Sequence, residues 1–209
     1  MVLQPPEHKN ALHTGGRPIS SNDGDTKSER RDRVIRTAMA LAAEGGYDAV
    51  VMRDLADQAN VAVGTLYNYF TSKDHLLAAA YLEWTKELEE RITSRPPRGG
   101  TPAERVADVL GRVCEALGRQ PRLVSAILTA ANAKAPEVAA LDSEVGVTMT
   151  ALIENALALP DAHMSGEVTS VIEHVMHSAL LSWINGRMQM PEVIAAIETT
   201  AHLLLDERR

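Results

Sequence analysis

Apolar residues recur at intervals of three and four along nearly the whole chain, and nowhere do they alternate in twos. That period belongs to helices with one buried stripe, so the expected fold is all-α, with no internal repeat. Caps and breakers punctuate it. Thr26, with Glu29 three residues on, opens the first helix through a capping box, and Gly45-Gly46 close it. Its buried stripe is Val34, Ile35, Ala38, Leu41 and Ala42. Thr71 with Asp74 is expected to cap a long helix that reaches about Arg95 with Leu76, Leu77, Ala80, Trp84 and Leu88 inward. Pro96-Pro97-Arg98-Gly99-Gly100 is the clearest break in the chain. Beyond it Thr101-Pro102 starts a helix carrying Val106, Val109, Leu110, Val113 and Leu117. Pro121 starts a short helix ending at Ala131, and Pro136 a longer one ending near Leu159-Pro160. Two last helices are expected over residues 165–187 and 191–207.

A chain of 209 residues with 45% hydrophobic content has enough material for a real core. No apolar run reaches the roughly 20 residues that span a bilayer. The start, Met1-Val2-Leu3-Gln4-Pro5-Pro6, lacks the charged and then apolar stretches of a signal peptide. One cysteine, Cys114, excludes an intramolecular disulfide and fits a reducing cytoplasm; set between Val113 and Leu117, it reads as a small buried hydrophobe. No membrane association is expected. Residues 1–25 are polar and aperiodic and read as a disordered arm.

The segment Val50 to Lys73 carries the candidate function. Met52, Leu55, Ala56 and Ala59 form one helical stripe, and Asn60 supplies a residue that tolerates the left-handed conformation of a sharp turn. A second stripe, Val63, Leu66 and Phe70, is expected to seat the next helix. This leaves Gly64, Thr65, Tyr67, Asn68 and Tyr69 facing outward, with Lys73 just beyond. Two short helices with such a surface are what a helix-turn-helix offers to double-stranded DNA. Thr65, Tyr67, Asn68 and Tyr69, flanked by Val63 and Gly64, would reach the groove, and Arg53 and Lys73 the phosphates. A helical hairpin that only packs against another protein produces the same pattern, so an interaction module without DNA binding is the rival reading.

The segment resembles the DNA-binding signature of the TetR family of bacterial regulators. The likeness rests on Arg53, Ala56, the run Gly64-Thr65-Leu66-Tyr67-Asn68-Tyr69-Phe70 and Lys73. Two positions depart from it. Asn60-Val61-Ala62 replaces the usual Gly, Val, Ser, so the helix loses a hydroxyl cap worth about 1 kcal/mol, and Val51 stands where Thr or Ser often caps. The resemblance implies a DNA-binding domain over 26–73 and a ligand-binding and dimerisation domain over 74–209. It further implies a homodimer on a palindromic operator, acting as a repressor released by a small apolar effector. Within the family the chain is most similar to KstR-type repressors of steroid catabolism, through residues 45–50, 61–67, 100–102 and 180–183. That likeness implies a fatty-acyl or steroid CoA-like effector, whose anionic tail Arg112, Arg119 or Arg122 would meet.

Net charge is −7, but it is unevenly spread: residues 27–75 balance seven basic against seven acidic side chains, whereas residues 96–209 carry nine against fourteen. Five basic residues, Lys27, Arg30, Arg31, Arg33 and Arg36, precede Thr37, and at least one is expected on a phosphate. An adaptable, largely aliphatic pocket is expected from Val124, Ile127, Leu128, Met149, Leu152, Ile153, Met176, Leu180 and Trp183. Val171, Val175, Leu181, Ile194, Ile197 and Leu204, joined by Leu180, offer apolar area for a dimer interface. His174 and His177 lie three apart beside Glu173, but no third ligand has metal-site spacing, so neither metal nor cofactor is expected. No phosphate loop or local nucleophile motif is present either, which argues against an enzyme.

Overall fold

The computed structural model describes residues 26–206; the expected arm at residues 1–25 and the expected helix end at residue 207 lie outside them. Among the described residues every regular element is helical. Helix α1 (Lys27–Gly45) leads into a single 3-10 turn (Tyr47–Ala49), then α2 (Met52–Gln58), α3 (Val63–Tyr69) and the long α4 (Lys73–Thr93). After the break come α5 (Pro102–Gly118), α6 (Pro121–Ala131), α7 (Pro136–Leu157), α8 (Ala162–Ile184) and α9 (Met190–Leu205).

Side chains set several of these ends. Thr26 and Glu29 form the reciprocal cap of α1. At α5 the Glu104 carboxylate takes the Thr101 N–H at 3.1 Å and the Gly100 N–H at 2.6 Å. Those backbone donors hold its carboxyl below the usual range. The start of α4 differs from expectation by one residue. Ser72, not Thr71, is in the extended conformation before the first helical residue, and its hydroxyl accepts the His75 N–H at 3.0 Å. Thr71 instead donates its hydroxyl to Glu137 in the first turn of α7, at 2.6 Å.

Two apolar cores result. One is built from Val34, Ile35, Ala38, Leu55, Ala56, Leu66 and Phe70, under the first turns of α4; Leu41 is only half-buried at its rim. The other gathers Val106, Leu110, Val113, Leu152, Ile153, Ile172 and Ile197 from α5, α7, α8 and α9. Helices α4 and α6 contribute to both. On α6, Leu123, Ala126, Ile127 and Ala130 face the first core, while Val124 and Leu128 face the second.

Candidate DNA interface and effector cavity

The α2–α3 hairpin is tight because its turn obeys a specific backbone geometry. Asn60 adopts φ 52°, the left-handed conformation expected of it. The Val61 N–H then reaches the Ala56 carbonyl at 2.9 Å and the Asn60 N–H the Asp57 carbonyl at 3.1 Å, a Schellman closure of α2. Arg33 braces the same corner from α1, its Nε donating to the Ala59 carbonyl at 2.7 Å. Ala62 and Val51 provide no side-chain cap, as their residue types require.

Leu66 and Phe70 are fully buried and fix how α3 is rotated. Val63 does not join them: it is 37% exposed. Three residues before Leu66 it falls at the open mouth of the hairpin, where no neighbouring helix covers it. The outward face is therefore Val63, Gly64, Tyr67 and Asn68, with Tyr67 half exposed at 50%. Thr65 and Tyr69 flank it and are half-buried. Arg53 is exposed on α2. A Cβ placed on Gly64 would meet nothing within 4 Å, so packing inside the chain does not demand glycine there.

Of the cations expected at phosphates, some are already engaged. Lys73 donates to the Tyr47 carbonyl at 3.1 Å, and its ammonium lies 3.7 Å from the Tyr47 ring centre. Tyr47 in turn donates its hydroxyl to Asp74 at 2.5 Å, and that bond, with burial and the nearby carboxylates, pushes the phenol up to about 12. Arg31 pairs with Glu83 at 3.4 Å. Lys27, Arg30 and Arg36 are exposed along α1.

The expected ligand pocket is only partly assembled. Val124, Ile127, Leu128 and Leu180 line one small cavity of about 20 Å3, together with Tyr81, Trp84, Leu117, Gln120 and Leu123. The aliphatic pocket expected from composition is thus walled by two aromatic rings, 6.3 Å apart between centres and nearly parallel. Their positions three apart on α4 were the available signal, since Trp84 already belonged to that helix's inward stripe. Met149, Leu152, Ile153 and Met176 are packed into the second core, and Trp183 lies at its edge; none of these five lines the cavity. Arg122 donates to the Glu44 carbonyl across the α1–α6 contact, so it is not turned toward the cavity. Cys114 is buried, and burial pushes its thiol up to about 12, against forming the nucleophilic thiolate. No group of three candidate metal ligands exists among the described residues.

Residues 34–80 match the family described as bacterial regulatory proteins, tetR family, and residues 99–204 match the tetracyclin repressor-like C-terminal domain. The HTH-type transcriptional repressor KstR of Rhodococcus jostii (strain RHA1) is 36% identical over 94% of this chain and 91% of its own length. The chain belongs to the TetR family. A TetR transcriptional regulator from Rhodococcus sp. RHA1 superposes with a TM-score of 0.74 at 25% identity, covering 86% of this chain and 97% of that one. Thermus thermophilus FadR, solved in complex with lauroyl-CoA, superposes at 0.67 with 20% identity, over 83% of this chain and 92% of that one. TetR-family proteins are regulators rather than enzymes, which agrees with the missing catalytic motifs.

For this TetR-family regulator the expected dimer surface needs two corrections: Leu180 is buried in the second core and lines the cavity, and Ile197 is turned inward. Ile197 is 1% exposed and belongs to the second core, because it follows Val193 by one helical turn on the inward face of α9. Val175, Leu181, Ile194 and Leu204 are half-buried, and Val171 is 45% exposed. Leu203, absent from the sequence expectation, is 58% exposed on α9. Among the described residues, no helix is long and apolar enough to cross a membrane.

Proposed function

We propose that this regulator is a cytoplasmic, homodimeric repressor that holds a palindromic operator in double-stranded DNA and leaves it when an apolar acyl thioester binds. The observation that carries the DNA reading is the rotation of α3: Leu66 and Phe70 are buried, so Gly64, Tyr67 and Asn68 stand outward. Thr65 and Tyr69 would contact the groove wall, Val63 the groove itself, and Arg53 and Lys73 the phosphates. Lys73 has donors left after its bond to Tyr47, since an ammonium has three. The division at residue 73, with DNA contact before it and ligand and dimer contact after it, follows from the same assignment.

The effector class rests on likeness to the KstR repressor and on the lauroyl-CoA found in the Thermus FadR complex. A fatty-acyl or steroid CoA ester fits both. Release follows from linkage: an effector favouring a conformation that binds DNA poorly must weaken operator affinity by the same factor. The test is fluorescence anisotropy on promoter DNA at stated salt. Tyr67→Ala should weaken operator binding at least tenfold with unchanged helical circular dichroism. Wild-type affinity in both Tyr67→Ala and Thr65→Ala would favour the interaction-module reading. Release by fatty-acyl or steroid CoA esters, and not by planar cationic drugs, is expected for the effector.

A further inference from the structure

We propose that Arg91, Arg95 and Arg119 form an open groove that takes the phosphate groups of an amphiphilic effector; this rests on the effector reading above. The groove encloses about 340 Å3 between α4 and α5, and four arginines line it against a single glutamate, Glu115. Two of the four, Arg112 and Arg119, come from residues 96–209, which are acidic overall.

The four are not equivalent. Arg112 is already committed: it pairs with Asp108 at 2.8 Å and donates to the carbonyls of Ile92 and Arg95, each at 3.3 Å. It therefore binds carbonyls at the end of α4 and just past it, tying α5 to that end of the groove. Arg91, Arg95 and Arg119 are exposed, and their side chains have no hydrogen bond or ion pair among the described residues. Helix C-termini favour a nearby cation, and that accounts for each arginine taken singly. It does not account for an open trough in which the arginines of two helices meet.

The floor of the groove sets the rest of the ligand. It is apolar, made by Leu88, Ile92 and Ala116. Along α4, Tyr81, Trp84, Leu88 and Arg91 recur every three or four residues on one face. The same face therefore runs from the aromatic cavity to the arginines, with Trp84 and Arg91 about 10 Å apart along the helix axis. Trp84 and Leu88 on that face are buried, so a ligand that parts the helices to reach the cavity would set its apolar body there and its anionic oxygens at the arginines. Three forked guanidiniums suit phosphate or pyrophosphate, which carry more charge and more acceptor oxygens than one carboxylate.

The experiment measures binding to the full chain by titration calorimetry, with palmitoyl-CoA, palmitoyl lysophosphatidate and palmitate as probes. The double variant Arg91→Gln/Arg119→Gln should weaken both phosphate-bearing ligands by about 30-fold or more. It should leave palmitate within twofold and ligand-free operator affinity unchanged. Arg119→Lys should restore part of the loss, and higher salt should weaken only the phosphate-bearing ligands. Loss for palmitoyl-CoA alone, with lysophosphatidate unaffected, would still support the groove and would make the nucleotide the source of the phosphate. Unchanged phosphate-ligand affinity, an equal loss for palmitate, or no binding of any probe to the wild type would overturn the proposal. Operator release separates the two readings. A double variant released by palmitoyl-CoA as well as the wild type overturns the groove and leaves the effector reading standing. If no acyl ester releases the wild type, the effector reading fails, and calorimetry still decides the groove.

Discussion

At the scale of single residues, Gly64 separates folding from function most cleanly. An added methyl has open space around it, and alanine is favoured over glycine inside a helix by about 1 kcal/mol. Gly64→Ala should raise the melting temperature by a few degrees while lowering operator affinity about tenfold, because the methyl projects where DNA would approach. Thermal melts and anisotropy on one preparation test both halves; unchanged DNA affinity would remove Gly64 from the interface. Asn60 makes the opposite point. Its left-handed φ was legible from residue type, because the turn after Ala59 needed a residue that tolerates it. Val63 was legible only ambiguously: its spacing from Leu66 fits the buried stripe while its place beside Gly64 puts it with the groove-facing set, and only the missing neighbour at the hairpin mouth exposes it.

Among the elements, α4 and α6 matter most because each belongs to both cores. The start of α4 is also sensitive to protonation. The Thr71 N–H donates to His75 Nδ1 at 3.2 Å, and burial lowers the His75 pKa, opposed by Glu137 and assisted by Arg31. The unfolded chain therefore binds this proton more readily than the folded one. The contribution is complete above the unfolded value of about 6.5 and is lost as pH falls below it. Melting temperature should drop as pH falls below about 6.5, and His75→Gln should flatten that slope. On α6, Leu128 lines a cavity of about 20 Å3, far below the few hundred Å3 of a typical ligand site. An effector entering there must part α4 from α6. Leu128→Trp should cost about 1–3 kcal/mol by overpacking and abolish effector response while operator binding persists; an intact response would place the effector elsewhere.

For the whole molecule, the exposed apolar side chains fall into separate regions. Val51, Val63 and Tyr67 lie at the α2–α3 hairpin, Val147 on α7, and Val171 and Leu203 on α8 and α9. Val171 also borders a broad concavity of about 710 Å3 shared with Gly166, Ser170 and Leu204. In the dimer proposed above, small residues there would let a second copy approach closely. Val171→Asp should convert a dimer near twice 22.6 kDa into monomer by light scattering, and operator affinity should fall because the two half-sites are no longer read together. A monomeric wild type at micromolar concentration would sink the dimer proposal.

What the sequence determined by itself was local: the helical period, most of the helix ends, the left-handed turn at Asn60 and the outward set around Tyr67. Each depends on residues within about a turn or two of one another, so spacing and residue type suffice. The tertiary structure decided what depends on contacts between distant segments. It moved the α4 cap to Ser72 by giving Thr71 a partner in Glu137, 66 residues away. It turned Ile197 inward, spent Arg122 on the Glu44 carbonyl and drew Tyr81 and Trp84 around the cavity in place of the methionines. The reason is geometric. Periodicity says that a stripe is buried, but only packing says which helix covers it and which charged groups its ends bring together.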